Sequence, residues 1–351
     1  MRTHFNRLTI PLLTVAVLAL AAPAHALDKI KLTKGTMVNC TIQEMNPREV
    51  TVKRSNDQTE KISVHDIESI SFDAEPPQMN IMRSAAAGGR YEDVLRTLEK
   101  VSANMDQLSP NVQQDVLYYR ALAAARLALA GSGDIAAAGP QMREFVQKNP
   151  SSYHLLDATE VLGDLFTALA RHDLAQQQYE AVERGAPWND TKMRARIAKG
   201  YALRAQGKSD DALKEFDAAL ALAGDEKTPI VEAQRQAATL GKAVCLADSK
   251  QYDEAVKMVE AVIAAADPEQ AELHARAYNT LGTCFRKAGK TKEALLAFLH
   301  VDVLYPTVPQ AHAEALHNLA ELWPTAGNPQ RATQAQETLK SRYPNSQWAK
   351  G

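Results

Sequence analysis

The 351-residue chain is poor in several of the groups on which function is often built. It holds three cysteines, Cys40, Cys245 and Cys284, and no two lie at the short spacing that zinc sites favour. Lys plus Arg number 40 against 42 Asp plus Glu, so no basic field exists to grip a phosphate backbone, and nucleic acid is not expected as a partner. Aromatic residues are 6% of the chain, too few to leave a base-stacking platform once a core is filled. Catalytic constellations are missing as well. His312 and His317 stand five residues apart, which splays them around a helix, and no glutamate completes a zinc-protease motif. Gly131-Ser132-Gly133-Asp134 lacks the lysine and the preceding strand of a phosphate loop, and reads as a turn between two helices. No metal, cofactor or catalytic residue is expected, and the chain does not read as an enzyme.

One long apolar run is present. Leu8 to Ala22 carries no charge, follows Arg2 and Arg7, and precedes Ala24-His25-Ala26, which has the small-x-small form of a cleavage site. The run is shorter than the roughly 20 residues a bilayer crossing needs. Residues 1–26 therefore read as a signal peptide. The mature chain is expected to begin near Leu27, to keep no transmembrane anchor, and to work in the periplasm or another extracytoplasmic compartment.

From Leu27 to Phe72 the apolar period is two. Ile30 and Leu32, then Val38, Cys40 and Ile42, then Val50 and Val52, then Ile62 and Val64, and finally Ile67, Ile70 and Phe72 alternate with polar residues. Lys34-Gly35, Asn46-Pro47 and Ser55-Asn56-Asp57 supply turns between them. Five strands in residues 27–72 cannot bury a large core, and closing into a small barrel would hide their edges. In outline this resembles SH3-like or Sm-like barrels, with no ligand residues carried over. Residues 73–77, with Pro76-Pro77 at the centre, read as a stiff link with few contacts.

Beyond the link the pattern changes to helix pairs. Leu162-Gly163, Phe166, Ala175, Tyr179 and Pro187 return as Leu281-Gly282, Phe285, Ala294, Phe298 and Pro306, and again as Leu319-Ala320, Trp323, Ala332 and Pro344. The small residue admits a close neighbour, the apolar stripe of a second helix follows a short turn such as Ala288-Gly289-Lys290, and proline ends the unit. Weaker copies open near Gln78, at Val116, Tyr119 and Ala123, at Gly200, and before Tyr252 and Ala255. The small residues 163, 200, 243, 282 and 320 are separated by 37, 43, 39 and 38 positions, with either Gly241 or Ala243 as the fifth unit's contact residue. This order of leucine, small residue, aromatic, alanine, aromatic and proline resembles the tetratricopeptide (TPR) repeat. The resemblance implies a mainly α chain: a TPR-type α-solenoid of about seven helix-turn-helix repeats over residues 78–351, preceded by the small five-stranded β-barrel. Cys245 and Cys284 would then occupy like positions on adjacent first helices, about 8–10 Å apart. That is too far for a disulfide, so all three thiols are expected to be free and buried.

In the family this chain resembles, first helices line the concave face and bind ligands through positions not used in packing. That register carries Asp157, Glu160 and Asp164 of the third repeat, Arg194, Tyr201 and Arg204 of the fourth, and Arg276, Asn279, Thr283 and Arg286 of the sixth into a candidate protein-binding groove. The lysine-asparagine carboxylate clamp of chaperone-binding TPR proteins has no counterpart. The function implied is a noncatalytic scaffold of the bacterial cell envelope, holding a protein or peptide. The alternative is an envelope glycan or polymer sensor that uses the barrel, and the single aromatic Phe72 in residues 27–72 argues against it.

Overall fold

The computed structural model describes residues 27–349, so the expected signal peptide, 1–26, lies outside the described residues. The alternating segment forms β1 (Asp28–Leu32), β2 (Met37–Met45), β3 (Glu49–Arg54), β4 (Thr59–Ser63) and β5 (Ile67–Ser71). They make one antiparallel sheet in the order β4-β3-β2-β1-β5. Alternation decides the faces: Ile30, Val38, Cys40, Val50, Val52, Ile62 and Ile70 are all buried. The register of β2 against β3 shifts between Ile42 and Glu44, a bulge of the kind that bends a strand. A single 3-10 turn, Val64–Asp66, joins β4 to β5, and no ladder pairs these two edges among the described residues.

Fourteen helices follow among the described residues, in seven pairs. They are α1 (Gln78–Ala87) with α2 (Tyr91–Ser102), α3 (Pro110–Leu129) with α4 (Ile135–Lys148), and α5 (Leu155–Ala168) with α6 (His172–Gly185). Then come α7 (Asn189–Ala205) with α8 (Ser209–Ala223), α9 (Pro229–Asp248) with α10 (Tyr252–Ala265), α11 (Ala271–Lys287) with α12 (Thr291–Leu304), and α13 (Pro309–Leu322) with α14 (Pro329–Arg342). The repeating glycines are packing residues. A methyl group placed on Gly163 would lie 2.6 Å from the Tyr179 ring, on Gly200 2.8 Å from Phe216, and on Gly282 2.7 Å from Phe298. In these three pairs the first helix thus presses its backbone onto the aromatic of its own second helix.

The fifth unit's register follows from backbone conformation. Seven residues beyond 163, 200, 282 and 320 the chain turns left-handed, at Ala170, Gly207, Gly289 and Gly327, and seven beyond Ala243 it does so at Lys250. Ala243 therefore holds the repeating position. Gly241 instead faces Phe216 of the preceding pair, with room for no side chain: an added methyl would sit 2.3 Å from the ring.

Two long-range features are not evident in the repeat pattern. Gly131, in the α3–α4 turn at φ +84, lies against Asn345 beyond α14, close enough that an added methyl would be 3.1 Å from the Asn345 backbone. The array therefore closes on itself. Residues 73–77 form a packed joint in place of a link with few contacts. The Arg83 guanidinium donates to both Glu75 carboxylate oxygens at 2.7 Å, and Arg83 also reaches Asp115 of α3 at 2.8 Å. All three are buried, and one apolar core continues from the sheet into the first three helix pairs.

Candidate functional site

First helices of successive pairs touch along an inner layer, and polar contacts cross from each to the next. Glu160 of α5 holds Arg194 of α7 at 2.6 Å. Arg204 of α7 and Lys287 of α11 both reach Asp248 at the end of α9, at 3.2 and 2.6 Å. Arg286 of α11 pairs with Glu321 of α13 at 2.6 Å. Asn279 of α11 donates from Nδ2 to the Ala311 carbonyl of α13 at 2.8 Å and to Glu314 at 3.2 Å.

The candidate residues fall into two groups. Asp157, Glu160, Asp164 and Arg194 form the first, partly buried and already paired within the protein. Tyr118 donates its hydroxyl to Asp157, and Tyr179 donates to Asp164 at 3.0 Å. Burial raises the Glu160 carboxyl to about 7, the nearby Asp157 and Asp164 carboxylates adding to the rise and Arg194 opposing it. At 2.6 Å Arg194 would by itself lower the value, but desolvation and two like charges outweigh one partner that is half exposed.

Tyr201, Arg204, Arg276, Asn279, Thr283 and Arg286 form the second group. Tyr201 is 40% exposed, yet its surroundings are crowded enough that burial lifts its phenol to about 12, with Arg276 and Arg204 opposing. Arg276 also pairs with Glu272 at 2.6 Å, one turn away on its own helix, and is 57% exposed. Asn279 is 2% exposed, and its Oδ1 has no hydrogen-bond partner. Thr283 is half-buried on α11. Glu314, on α13, lies among Arg204, Arg286 and Arg276; burial raises its carboxyl, and Asn279 and the three guanidiniums hold it back. Burial likewise lifts Asp248, but Lys287 and Arg204 outweigh it and hold that carboxyl below its ordinary range.

Glu314 and Asp248 were missed in the sequence, although the register contains them. Glu314 stands six before Ala320, as Arg276 stands six before Gly282; Asp248 stands five after Ala243, as Lys287 stands five after Gly282. Both His residues of the weak zinc pattern have ordinary ties. His312 bridges Asp302 and the Tyr343 hydroxyl at 2.8 Å each, and His317 contacts the Trp348 carbonyl at 3.2 Å. Among the described residues no three potential ligands converge on a metal position. All three cysteines are free and buried, and burial raises Cys40 and Cys245 to about 11 and Cys284 to about 12.

The tetratricopeptide repeat sequence model matches residues 234–301, from within α9 to within α12. No curated protein matches the chain. Among solved structures, a tetratricopeptide repeat protein from Parabacteroides merdae ATCC 43184 aligns at 16% identity and TM-score 0.55, covering 76% of this chain and 91% of its own. A Rap protein complexed with competence and sporulation factor aligns at 16% identity and TM-score 0.56, covering 77% of this chain and 76% of its own. The shared property is the fold, a TPR-like helical array.

Proposed function

We propose that the chain is a noncatalytic scaffold of the bacterial cell envelope that holds an extended segment of a protein partner along the inner layer of its fourth to seventh helix pairs. The observation that carries this reading is Asn279. Its buried Oδ1 is an acceptor without a donor, in a wall where the neighbouring charges are paired, and an extended chain brings backbone N–H groups that would satisfy it. Around it Tyr201, Arg204, Arg276 and Arg286 offer ring surface and guanidiniums from two helices, suited to an acidic segment. The complex of a Rap protein with competence and sporulation factor supports a binding role for such an array. Export rests on the apolar run and the Ala24-His25-Ala26 pattern. The β-strand segment is assigned as an SH3-like small barrel that closes one end of this scaffold.

Capture from an envelope extract with the full mature chain as bait tests the reading. Recovery of the partner should fall as salt is raised, because surface charges act over about 10 Å at 0.1 M ionic strength and over less above it. Recovery independent of salt would remove the arginines from the binding account. Cell fractionation with N-terminal sequencing checks the export part, a mature start at Leu27 being the expected result.

A further inference from the structure

Where the sheet rests on the helices, the seam is sparse. Arg48 donates to the Gly185 carbonyl at 2.8 Å, Trp188 donates from Nε1 to Ser63 Oγ at 3.1 Å, and His65 faces Asp190 at 3.5 Å. Beside these contacts lies a half-open cleft of about 310 Å³, walled on one side by the Val64–Asp66 turn and β5 and on the other by α3, α5 and α7. That volume is at the lower end of the roughly 300–1,000 Å³ of small-molecule pockets.

The titratable groups of the wall already have hydrogen-bond or ion-pair partners inside the protein. Asp157 accepts from Tyr118, Arg194 is held by Glu160, Glu68 by Lys31, and His154 meets Asp115 at 3.0 Å. What is left over is neutral. Tyr119 and Thr191 line the cleft at 8% and 5% exposure, and neither hydroxyl has a hydrogen-bond partner among the described residues. Next to them the Trp188 ring is fixed by stacking on His65, with centroids 5.1 Å apart.

These facts discriminate between ligand classes. An anion would give up its hydration and find no free positive charge, since Arg194 is held by Glu160. A cation would meet Glu68, held by Lys31, and Asp157, whose carboxylate already accepts the Tyr118 hydroxyl. A wholly apolar ligand would displace the solvent that these two hydroxyls reach and leave them without a partner. A molecule with its own hydroxyls can donate to or accept from both, and its C–H face can lie on the aromatic wall. We infer that the cleft between the sheet and α3, α5 and α7 is a binding site for a neutral polyhydroxylated ligand, a sugar residue. It lies at the start of α7, beside the groove proposed above, and does not depend on that reading.

The test is titration of the full mature chain, by saturation-transfer NMR and calorimetry. Glucose, ribose and N-acetylglucosamine serve as neutral probes, arginine amide and inorganic phosphate as charged probes, and indole as the apolar one. At least one neutral sugar should saturate a single site at millimolar concentration. Tyr119→Phe and Thr191→Val, which remove the hydroxyls at nearly constant volume, should each weaken it by roughly three- to tenfold, the worth of one ordinary hydrogen bond. Far-UV circular dichroism of both variants should match the parent. The inference is overturned if no neutral probe saturates and the cleft holds solvent only, if either variant keeps the parent affinity, or if a charged probe or indole binds more tightly than every sugar.

Discussion

Glycine at 163, 200 and 282 is present for its missing side chain. In a helix interior an alanine in its place gains about 1 kcal/mol of propensity, whereas overpacking costs about 1–3 kcal/mol. With the Phe298 ring 2.7 Å from the added carbon, overpacking should win, so Gly282→Ala should lose up to about 2 kcal/mol in a denaturant melt. Phe298→Leu, which shortens the opposing side chain, should make the same substitution much less costly; equal losses in both backgrounds would detach the glycine from that ring. Glu160 supplies a pH signature. Its folded value of about 7 lies above the ordinary 4.5, so the native state holds the extra proton between them, and stability falls as pH rises from about 4.5 to about 7. Glu160→Gln should flatten the profile over that interval relative to the parent, and an unchanged slope in thermal melts would contradict the assigned burial. These residue identities were legible in different degrees. The glycines show in the sequence because their spacing repeats, while the pairing of Asp157 and Glu160 does not, because Tyr118 and Arg194 belong to other repeats.

At the scale of elements, local periodicity carried most of the information. Period two marked five strands and the small-aromatic-alanine-proline order marked helix pairs, because both depend on neighbours within one or two turns of the chain. The docking of the sheet was not legible. Its contacts join Arg48 to Gly185 and Trp188 to Ser63, and no pattern along the chain announces partners more than a hundred residues apart. Nor did the Pro76-Pro77 segment disclose that Glu75 enters a buried cluster. That cluster sets the energetics of the joint. Removing Glu75 strips two charge-assisted hydrogen bonds from the buried Arg83 and leaves it Asp115 alone, whereas an exposed helix pair such as Glu144 with Lys148 contributes little. Glu75→Ala should therefore lower stability by several times the loss from Glu144→Ala, as read from urea midpoints at a common slope. Comparable losses would show that Arg83 is solvated after the change, and that the joint is loose.

At the scale of the whole molecule, the C-terminal segment returns to the second helix pair. Asn345 reaches back to Gly131, and along the inner layer arginines of α7 and α11 and a carboxylate of α13 act on one another. The sequence register assigned α5, α7 and α11 to that layer. It could not tell which of their charges remain available, since that depends on partners such as Asp248 and Glu321 supplied by neighbouring pairs. Arg276 and Arg286 pair with exposed glutamates, whereas Arg204 shares the more buried Asp248 with Lys287. The informative changes are therefore Arg276→Gln and Arg286→Gln, which neutralise without introducing repulsion beside Glu272 or Glu321. Exposed charges of this kind contribute about 0–1 kcal/mol to stability, so the fold should persist. The decisive measurement is partner capture at low salt by this double variant, beside the parent and a control carrying Lys214→Gln and Lys257→Gln on the second helices. The expected result is a clear loss of captured partner for the groove variant alone, with thermal melts of all three coinciding. Equal recovery by the groove variant and the parent would contradict the assignment of the inner layer as the binding surface.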